Sequence, residues 1–567
     1  MRWLCGRPTS KEETVTERIH VGVAWPYANG PLHLGQIAGA YLPADIFARF
    51  NRILGNEVLM VSGSDQHGAP ITIRAERENT TPEEVARKYH AEFLECWEKL
   101  GISFDLFTTT GTANHAEVTQ DIFRRLLENG YLYRDFVLQA YCGSCNRSLP
   151  DRYVQGVCPN CGSPDARGDE CEACGKPLDP VDLDNPRCAL CGSTPEFVQS
   201  EHFFFRLSAF QERLSQWVET KAHWRPNVMG ATRRFLNEGL RDRAITRDIQ
   251  WGVPVPYDGF ENKRIYVWFE ACIGYLSATR EWALRQGDPS AWERYWKEDA
   301  KIYNFIGKDN IFFHTLSWPA TLMGYGGLNL PYDVPANEFL NIEGQKLSTS
   351  RNWAVWLNDY LERYDPDPLR YYLSAVMPET QDSDFAWDKF VSRNNDELVA
   401  TYGNLAHRVL TFTKRHFKGV VPEPGELDEA SRQLLADADK ALAEVADALG
   451  RCSFREGLRS AMALAQKANK YLDDQAPWKV VKESKEAAGC SVYTVLCVLS
   501  ALSTVFYPYL PFSSEKLHAS LGFSGTVLDR GWKVVRPEPG QILGEVVPLF
   551  AKLDDSVVEI ETAKLGK

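Results

Sequence analysis

Three features are scarce in this sequence, and each scarcity excludes a class of protein. Positive charge is in deficit: 63 Lys and Arg residues face 76 Asp and Glu residues, a formal net charge of −13. The molecule as a whole therefore offers no attractive field for nucleic acid, and any such contact has to use local basic and aromatic patches. The first 18 residues lack the apolar core and the small-residue cleavage site of a secretory signal. A cytoplasmic location is the default expectation.

Long uncharged stretches are also scarce, and only Ser491–Phe512 raises the question of a membrane span. Serine and threonine residues interrupt this stretch, and Pro508 and Pro511 close it. We therefore predict a buried helix and no membrane association. With 567 residues, 44% hydrophobic and 25% charged, the chain has the balance of a globular protein of three or four domains.

Cysteine is abundant and unevenly distributed. Of the 14 cysteines, eight form four Cys-x-x-Cys pairs. This spacing favours metal binding in a reducing compartment over a disulfide scaffold or redox-active thiols. Four thiolates on two tight turns suit a tetrahedral structural Zn²⁺, so we predict one or two zinc sites. Nested pairing closes the shorter inner loop and is favoured, although spacing alone also allows other pairings. The predicted ligands are Cys142, Cys145, Cys158, Cys161, Cys171, Cys174, Cys188 and Cys191.

Strand and helix signals predict an α/β fold that is split in two. A strand that starts near Glu17 leads through a turn cluster into a helical pattern, and a second strand, Glu57–Ser62, ends in a polar Gly-Ser-Asp-Gln-His-Gly run. Strand signals return at Arg264–Phe269 and Lys301–Ile306, and beyond about Glu379 only amphipathic helices follow. The predicted organisation is an N-terminal extension (1–17), a first catalytic half (18–128), a connective insertion (129–245) with zinc knuckles (141–192), a second catalytic half (246–335), a loop-rich linker (336–388) and a helical domain (389–567).

Two short segments carry groups suited to phosphates. His33 and Gln36 stand at the predicted start of a helix, and Gly35 between them permits close approach of a ligand to the backbone. The segment 344–351, 310 residues further on, supplies two cations and three hydroxyl groups without a bulky apolar face. Taken singly, each segment is equally compatible with an ordinary helix cap or a solvated turn.

These residues also carry a resemblance to a known family. His33-Leu34-Gly35-Gln36 and Lys346-Leu347-Ser348-Thr349-Ser350 resemble the two signatures of class I aminoacyl-tRNA synthetases. Five further motifs resemble methionyl-tRNA synthetases in the order that family uses: Ala28-Asn29-Gly30, Asp65-Gln66-His67-Gly68, Tyr266-Val267-Trp268, Ile306-Gly307-Lys308-Asp309 and Gln475-Ala476-Pro477-Trp478. The resemblance implies a Rossmann-type parallel sheet that is split by a zinc-binding insertion and followed by an α-helical anticodon-binding bundle. It also implies ATP-dependent activation of L-methionine and transfer of the methionyl group to the terminal adenosine of tRNA(Met).

The resemblance further implies roles for individual residues. Its catalytic set is His33, Gln36, Lys346 and Thr349. ATP, with Mg²⁺, would contact Gly35, Gly307, Lys308, Asp309, Lys346 and Thr349. Methionine would contact Trp25, Tyr27, Asp65, Trp268, Ala271, Tyr275 and His314, with Asp65 on its ammonium group. Aromatic rings pack well against a thioether, which is consistent with this set.

Asn404 and Arg408, four residues apart on one predicted helix face, and Trp478 match the family positions that contact the anticodon. Such a local patch reconciles tRNA binding with the acidic net charge. The insertion is also too short for the editing domain of the leucine, isoleucine and valine enzymes. Because no further tRNA-binding and dimerising module follows the helical domain, the expected state is a monomer.

Four positions depart from the family pattern. Thr349 stands where the second signature has lysine and Gln36 where the first has histidine, while Cys272 replaces a proline and Asn310 an apolar residue. Arg351, Lys346 and Lys308 are candidates to replace the lost cation. Two alternatives therefore stay open at this stage: another class I synthetase with an altered pocket, and a weakened tRNA-binding paralogue.

Overall fold

The structure is a computed structural model and describes residues 16–168, 171, 173–174, 176 and 178–567. The predicted N-terminal extension therefore lies outside the described residues, apart from its last two.

A five-stranded parallel sheet forms the centre of the catalytic part. Its strands are β1 (Arg18–Val23), β2 (Glu57–Ser64), β3 (Leu106–Thr109), β13 (Lys301–Gly307) and β14 (Ala336–Asn337). They lie in the order β14-β13-β1-β2-β3, which is the order of a Rossmann half with its switch point between β1 and β13. The predicted split α/β fold is thereby confirmed. The fifth strand starts at Ala336, one residue past the predicted end of the second catalytic half.

Helices cover both faces of this sheet. They are α1 (Leu34–Gln36), which continues through a π-helical turn (Ile37–Tyr41) into α2 (Leu42–Ile53), and then α3 (Ala69–Glu78), α4 (Pro82–Leu100) and α5 (Ala113–Glu128). Side-chain caps fix the starts of two of them: Thr81 accepts a hydrogen bond from the Glu84 amide, and Thr112 from the His115 amide.

The insertion is built on a long antiparallel ribbon. Strands β4 (Leu132–Cys142) and β9 (Glu196–Phe205) pair over ten residues, flanked by β5 (Arg147–Ser148) and β10 (Arg243–Ala244). The knuckles lie at one end of this ribbon, around a small sheet of β6 (Val154–Val157), β7 (Ala166–Arg167) and β8 (Asp184–Cys188). Two helices, α6 (Gln211–Glu219) and α7 (Pro226–Glu238), and 3₁₀ turns at Asp151–Tyr153, Pro180–Asp182 and Leu207–Phe210 complete it.

The prediction of a strand at Arg264–Phe269 is wrong. Only Arg264–Ile265 (β12) is extended, and it pairs with β11 (Thr246–Arg247) outside the main sheet. Val267 already begins the 19-residue helix α8 (Val267–Arg285). Most residues of α8 are buried, so apolar residues occur all around the helix and show no helical periodicity. A short apolar segment of this kind is equally compatible with a strand. Helices α9 (Glu293–Trp296) and α10 (Trp318–Tyr325), a 3₁₀ turn (Lys308–Asn310) and a π-helical turn (Phe313–Ser317) complete this half.

The linker contains more regular structure than a loop-rich segment suggests. Strand β15 (Leu340–Ile342) pairs in parallel with β16 (Ser383–Phe385), and α11 (Leu357–Leu361) and α12 (Pro366–Ala375) lie between them. Strand β16 lies past Glu379, so the expectation of helices alone from that point is wrong for these three residues.

The remaining chain is helical, as predicted. Its helices are α13 (Trp387–Arg393), a π-helical segment (Asn394–Gly403), α14 (Asn404–Phe417), α15 (Glu429–Gly450), α16 (Phe454–Gln475), α17 (Pro477–Val480), α18 (Lys485–Phe506), α19 (Pro511–Ser520), α20 (Val527–Arg530) and α21 (Ser556–Thr562). Among the described residues, only α18 is long and apolar enough to span a membrane, and 94% of its most apolar window is buried inside the protein. It is the core helix that the sequence predicted.

A buried arginine joins the catalytic and helical parts. Arg370 of α12 is fully buried and pairs with the equally buried Asp45 of α2 at 2.6 Å. Its guanidinium also donates to the carbonyl groups of Pro508 and Tyr509, which follow α18. Burial by itself would raise the pKa of Asp45, but Arg49 and Arg370 lower it to about 2. The two parts therefore share a polar anchor inside one continuous apolar core.

Candidate active site and zinc knuckles

A cavity of about 390 Å³ opens at the carboxyl ends of β1, β2 and β13. This is the switch point of the sheet, where open parallel folds bind ligands. Residues from segments far apart in sequence line it together, among them most of the predicted site: Trp25, Tyr27, His33, Gly35, Gln36, Asp65, Trp268, Ala271, Tyr275, Gly307, Asp309, His314 and Lys346.

His33 and Gln36 form a reciprocal cap at the start of α1. The backbone N–H of Gln36 donates to His33 Nδ1 at 3.4 Å, and the backbone N–H of His33 donates to Gln36 Oε1 at 3.0 Å. Burial lowers the pKa of His33 to about 4, so the imidazole is neutral and its Nε2–H remains a donor. Because Gln36 uses its oxygen in the cap, its NH₂ group is left to donate to a ligand. A Cβ at Gly35 would lie 3.1 Å from both His33 Nδ1 and Leu347 Cδ1, so a larger residue there would press on both side chains.

One wall of the cavity is aromatic. Trp268 stacks on Phe313 at a centroid distance of 4.8 Å, and Tyr27 lies edge-on to Trp268 at 6.4 Å. The Trp25 indole lies against Gly63 and Gly274: a Cβ at Gly274 would come within 2.7 Å of the ring. Larger residues at these two glycines would displace the indole.

Hydrogen bonds fix the tautomer of His314. Its Nδ1 lies 2.9 Å from the Asn310 carbonyl and must donate to it, and its Nε2 lies 2.7 Å from the Tyr275 hydroxyl. Burial lowers the pKa of His314 to about 4, so Nε2 is unprotonated and accepts the Tyr275 proton. The Tyr275 oxygen then faces the site as an acceptor.

Asp65 lies at the end of β2 and is 3% exposed. Its Oδ1 accepts from the His67 amide at 3.1 Å and from the Thr110 hydroxyl at 3.5 Å. Burial, and next the nearby Glu270 carboxylate, raise the pKa of Asp65 to about 8. A carboxyl group in this state is mostly protonated near pH 7, and a cation that binds beside it lowers its pKa and restores its charge.

The second phosphate-binding segment adjoins the first. Lys346 and Leu347 line the cavity, while Ser348, Thr349 and Ser350 line a groove that opens beside it. Lys308 also lies in this groove and forms ion pairs with Glu338 at 2.8 Å and Asp382 at 2.7 Å. The predicted nucleotide-binding residues therefore form two groups, with Lys308 and Thr349 outside the cavity itself.

The eight knuckle cysteines form two four-thiol clusters, one of 142, 145, 188 and 191 and one of 158, 161, 171 and 174. The nested pairing is thereby confirmed. Shortest Sγ–Sγ distances are 3.5 and 3.9 Å in the outer cluster and 3.6 and 3.9 Å in the inner one. A tetrahedral Zn²⁺ with Zn–S bonds of about 2.3 Å requires separations of about 3.8 Å. These distances lie near that value, and all four sulfur atoms of each cluster lie within 4.8 Å of one another, so both clusters suit a structural zinc ion.

The three predicted anticodon residues lie on adjoining helices. Asn404 and Arg408 are one turn apart on α14, and Trp478 on α17 is 37% exposed. The Arg408 guanidinium lies over the Trp478 ring at 4.9 Å and pairs with Asp473 at 2.9 Å.

Comparison with known proteins identifies this combination. Residues 19–410 match the family of class I tRNA synthetases (M), and residues 421–564 match the anticodon-binding domain of methionyl tRNA ligase. The chain belongs to the methionyl-tRNA synthetase family.

Individual relatives agree with this assignment. A methionine–tRNA ligase of Dehalococcoides mccartyi is 59% identical over 97% of this chain and 100% of its own length. One of Thermomicrobium roseum is 51% identical over 97% and 99%. Methionyl-tRNA synthetase of Mycobacterium tuberculosis, solved in complex with methionyl-adenylate, has a TM-score of 0.80 and 27% identity, covering 94% of this chain and 100% of its own. The chain is accordingly an ATP-dependent methionine–tRNA ligase.

Several contacts in and behind the cavity were not predicted from the sequence. Phe313 stacks on Trp268, and His67 pairs with Glu270 across 203 residues, directly behind Asp65. No spacing rule links such pairs. Of the four residues that depart from the family pattern, Gln36, Cys272 and Asn310 line the cavity.

Proposed function

We propose that the chain activates L-methionine in this cavity and that the predicted residues act there in the roles their family positions imply. The observation that carries the proposal is the convergence on one cavity of His33, Asp65 and Lys346, which come from three separate segments. It supports a site that holds an amino acid and a nucleotide side by side.

The methionine carboxylate attacks the α-phosphate of ATP, methionyl-adenylate forms, and pyrophosphate leaves. Little covalent work falls to the protein, so its contribution is to position the groups and to stabilise charge. The Asp65 carboxylate binds the ammonium group, and the aromatic wall with Tyr275 and His314 encloses the thioether.

Donors around the nucleotide supply the electrostatic part. The Nε2–H of His33 and the NH₂ of Gln36 donate to phosphate oxygens, and Lys346 balances their negative charge. Gly35, Gly307 and Asp309 contact the adenosine moiety, while Lys308 and Thr349 lie along the path of the triphosphate. Mg²⁺ enters with ATP and offsets part of its charge.

The knuckles and the helical domain serve tRNA. Two structural zinc ions, each held by four thiolates, hold the insertion folded, and with every ligand position taken by a cysteine they do no chemistry. Asn404, Arg408 and Trp478 bind unstacked anticodon bases through hydrogen bonds and stacking. The proposed domain division follows the predicted ranges, with the helical domain from residue 389. The monomeric state and cytoplasmic location stay predictions, the first testable by light scattering.

An amino-acid panel in ATP–pyrophosphate exchange tests the proposal, followed by charging of tRNA(Met). We expect exchange with methionine to exceed exchange with leucine, isoleucine and cysteine by at least two orders of magnitude. A preference for another amino acid would support the altered-pocket alternative, and soluble, zinc-loaded protein without exchange would support the paralogue.

A further inference from the structure

Behind the proposed methionine site lies a buried cluster of two carboxylates and one imidazole. Glu270, in the first turn of α8, is fully buried, and its Oε1 lies 2.6 Å from Nδ1 of His67, which is 7% exposed. The backbone amide of His67 in turn donates to Asp65 Oδ1. His67 therefore contacts both acids: its ring contacts Glu270, and its main chain contacts Asp65.

We infer that His67 is a positioning residue for the substrate ammonium group: paired with Glu270, its imidazolium cancels the charge of the second carboxylate, so that Asp65 can give up its proton and become negatively charged when the ammonium group binds. The inference rests on the proposed role of Asp65. Two buried carboxylates without a cation between them would force one to stay protonated, and Asp65 would then bind an ammonium group poorly.

The ionisation states agree with this arrangement. Burial opposes a charge on His67, but the Glu270 carboxylate raises its pKa above the ordinary value. Asp65, the remaining acid, has its pKa raised to about 8. The ammonium group of the substrate is the cation that completes the charge balance.

Neighbouring groups on other elements keep their charge between pH 6 and 9.5. Burial, and next Asp65, raise the pKa of Cys272 on α8 to about 12, and burial raises the pKa of Tyr275 well above its ordinary value. His115 on α5 has its pKa lowered to about 3 by burial. The amino group of methionine also titrates in this range, but equally for every variant. The difference in pH dependence between wild type and a variant should therefore report on the Asp65–His67 pair, and an Asp65→Asn variant provides the check.

Substrate binding should then displace a proton. With a pKa of about 8, Asp65 is mostly protonated at pH 7, so the ammonium group should release most of one proton when it binds at pH 7. Titration calorimetry with L-methionine, in buffers of different ionisation enthalpy, measures this number on the full-length zinc-loaded enzyme.

Three variants test the role of His67. In His67→Gln the amide still donates to Glu270 but carries no charge, so we expect methionine affinity at pH 7 to fall at least tenfold, with the loss shrinking as pH rises towards 9.5. In Glu270→Gln both charges of the pair disappear, and affinity should stay within threefold of wild type. The double variant His67→Gln/Glu270→Gln should likewise return to within threefold.

The outcomes separate the inference from the proposed function. A loss in His67→Gln that is equal at every pH, or a double variant no better than the single one, would overturn the inference. If His67→Gln does not fold, the proton release measured on the wild-type enzyme tests the inference instead. A wild-type enzyme that releases no proton when it binds methionine at pH 7 would overturn it. If Asp65→Asn binds methionine normally and still releases the proton, the proposed role of Asp65 itself fails.

Discussion

Replacing Arg351 by alanine should slow methionyl-adenylate formation about a hundredfold. The family lysine is absent at Thr349, and among the predicted substitutes Lys308 is already held by Glu338 and Asp382. Lys346 occupies its own signature position. Arg351, two residues beyond Thr349, is exposed and forms no ion pair with any residue that the structure describes. Of the three candidates it is therefore the one that no other contact engages, and we expect it to reach the departing pyrophosphate.

The size of the effect follows from the type of contact. A preorganised donor that acts mainly in the transition state is worth about 3 kcal/mol, which corresponds to roughly two orders of magnitude in rate. If Arg351 supplies that contact, Thr349→Lys should add little to wild type, because the position is already served. In the Arg351→Ala background the same lysine should restore most of the lost rate.

The assay is ATP–pyrophosphate exchange at saturating methionine without tRNA, so that changes in tRNA binding do not enter. Arg87→Ala, which removes an exposed arginine of α4, is the matched control and should leave the rate unchanged. An Arg351→Ala rate within threefold of wild type would refute the reasoning. A tenfold higher rate in the single variant Thr349→Lys would also refute it, since this result would show that no cation of the wild-type enzyme replaces the family lysine.

Four further predictions concern the other parts of the molecule. Trp478→Ala should lower kcat/KM for charging tRNA(Met) by about five- to 150-fold, the loss of about 1–3 kcal/mol of base stacking, without altering pyrophosphate exchange; an equal fall in exchange would contradict the anticodon role. Metal analysis should find two zinc ions per chain and one in Cys158→Ser, since the clusters share no ligand; loss of both would show that they are coupled. Arg370→Met should lower the free energy of unfolding, measured in urea, by about 3–5 kcal/mol. The loss should be smaller in the double variant Arg370→Met/Asp45→Asn. Because the pKa of Asp45 is lowered to about 2 in the folded state, its ionisation contributes about 2 kcal/mol to the free energy of unfolding above pH 5. This contribution should be lost as pH falls from about 4 to 2, and a free energy of unfolding that stays constant over this range would contradict the prediction.

The sequence predicts the parts of the site that depend on motif and strand order. His33 and Lys346 can be paired from 313 positions apart because each stands in one of the two signature motifs, and the structure brings both to one cavity. The knuckles are predictable because the Cys-x-x-Cys spacing itself makes the turn.

Contacts that depend on side-chain packing cannot be predicted in this way. The fit of Trp25 against Gly63 and Gly274 needs the exact approach of β2 and α8, and nothing in either segment signals it. The same holds for the His67–Glu270 pair. The strand predicted at Arg264–Phe269 fails for a related reason: its apolar run is that of a helix buried on all sides.

The position of β1 in the middle of the sheet has a consequence for synthesis on the ribosome. One edge of β1 pairs with β2, which follows closely, but the other pairs with β13, about 280 residues later in the chain. At a translation rate of about 5–20 residues per second, that edge waits roughly 15–55 seconds for its partner. During this interval an apolar strand edge is open to pairing with other nascent chains, a hazard that capture by a chaperone would reduce. The insertion between the two halves thus lengthens the time for which the newly synthesised enzyme is exposed to aggregation.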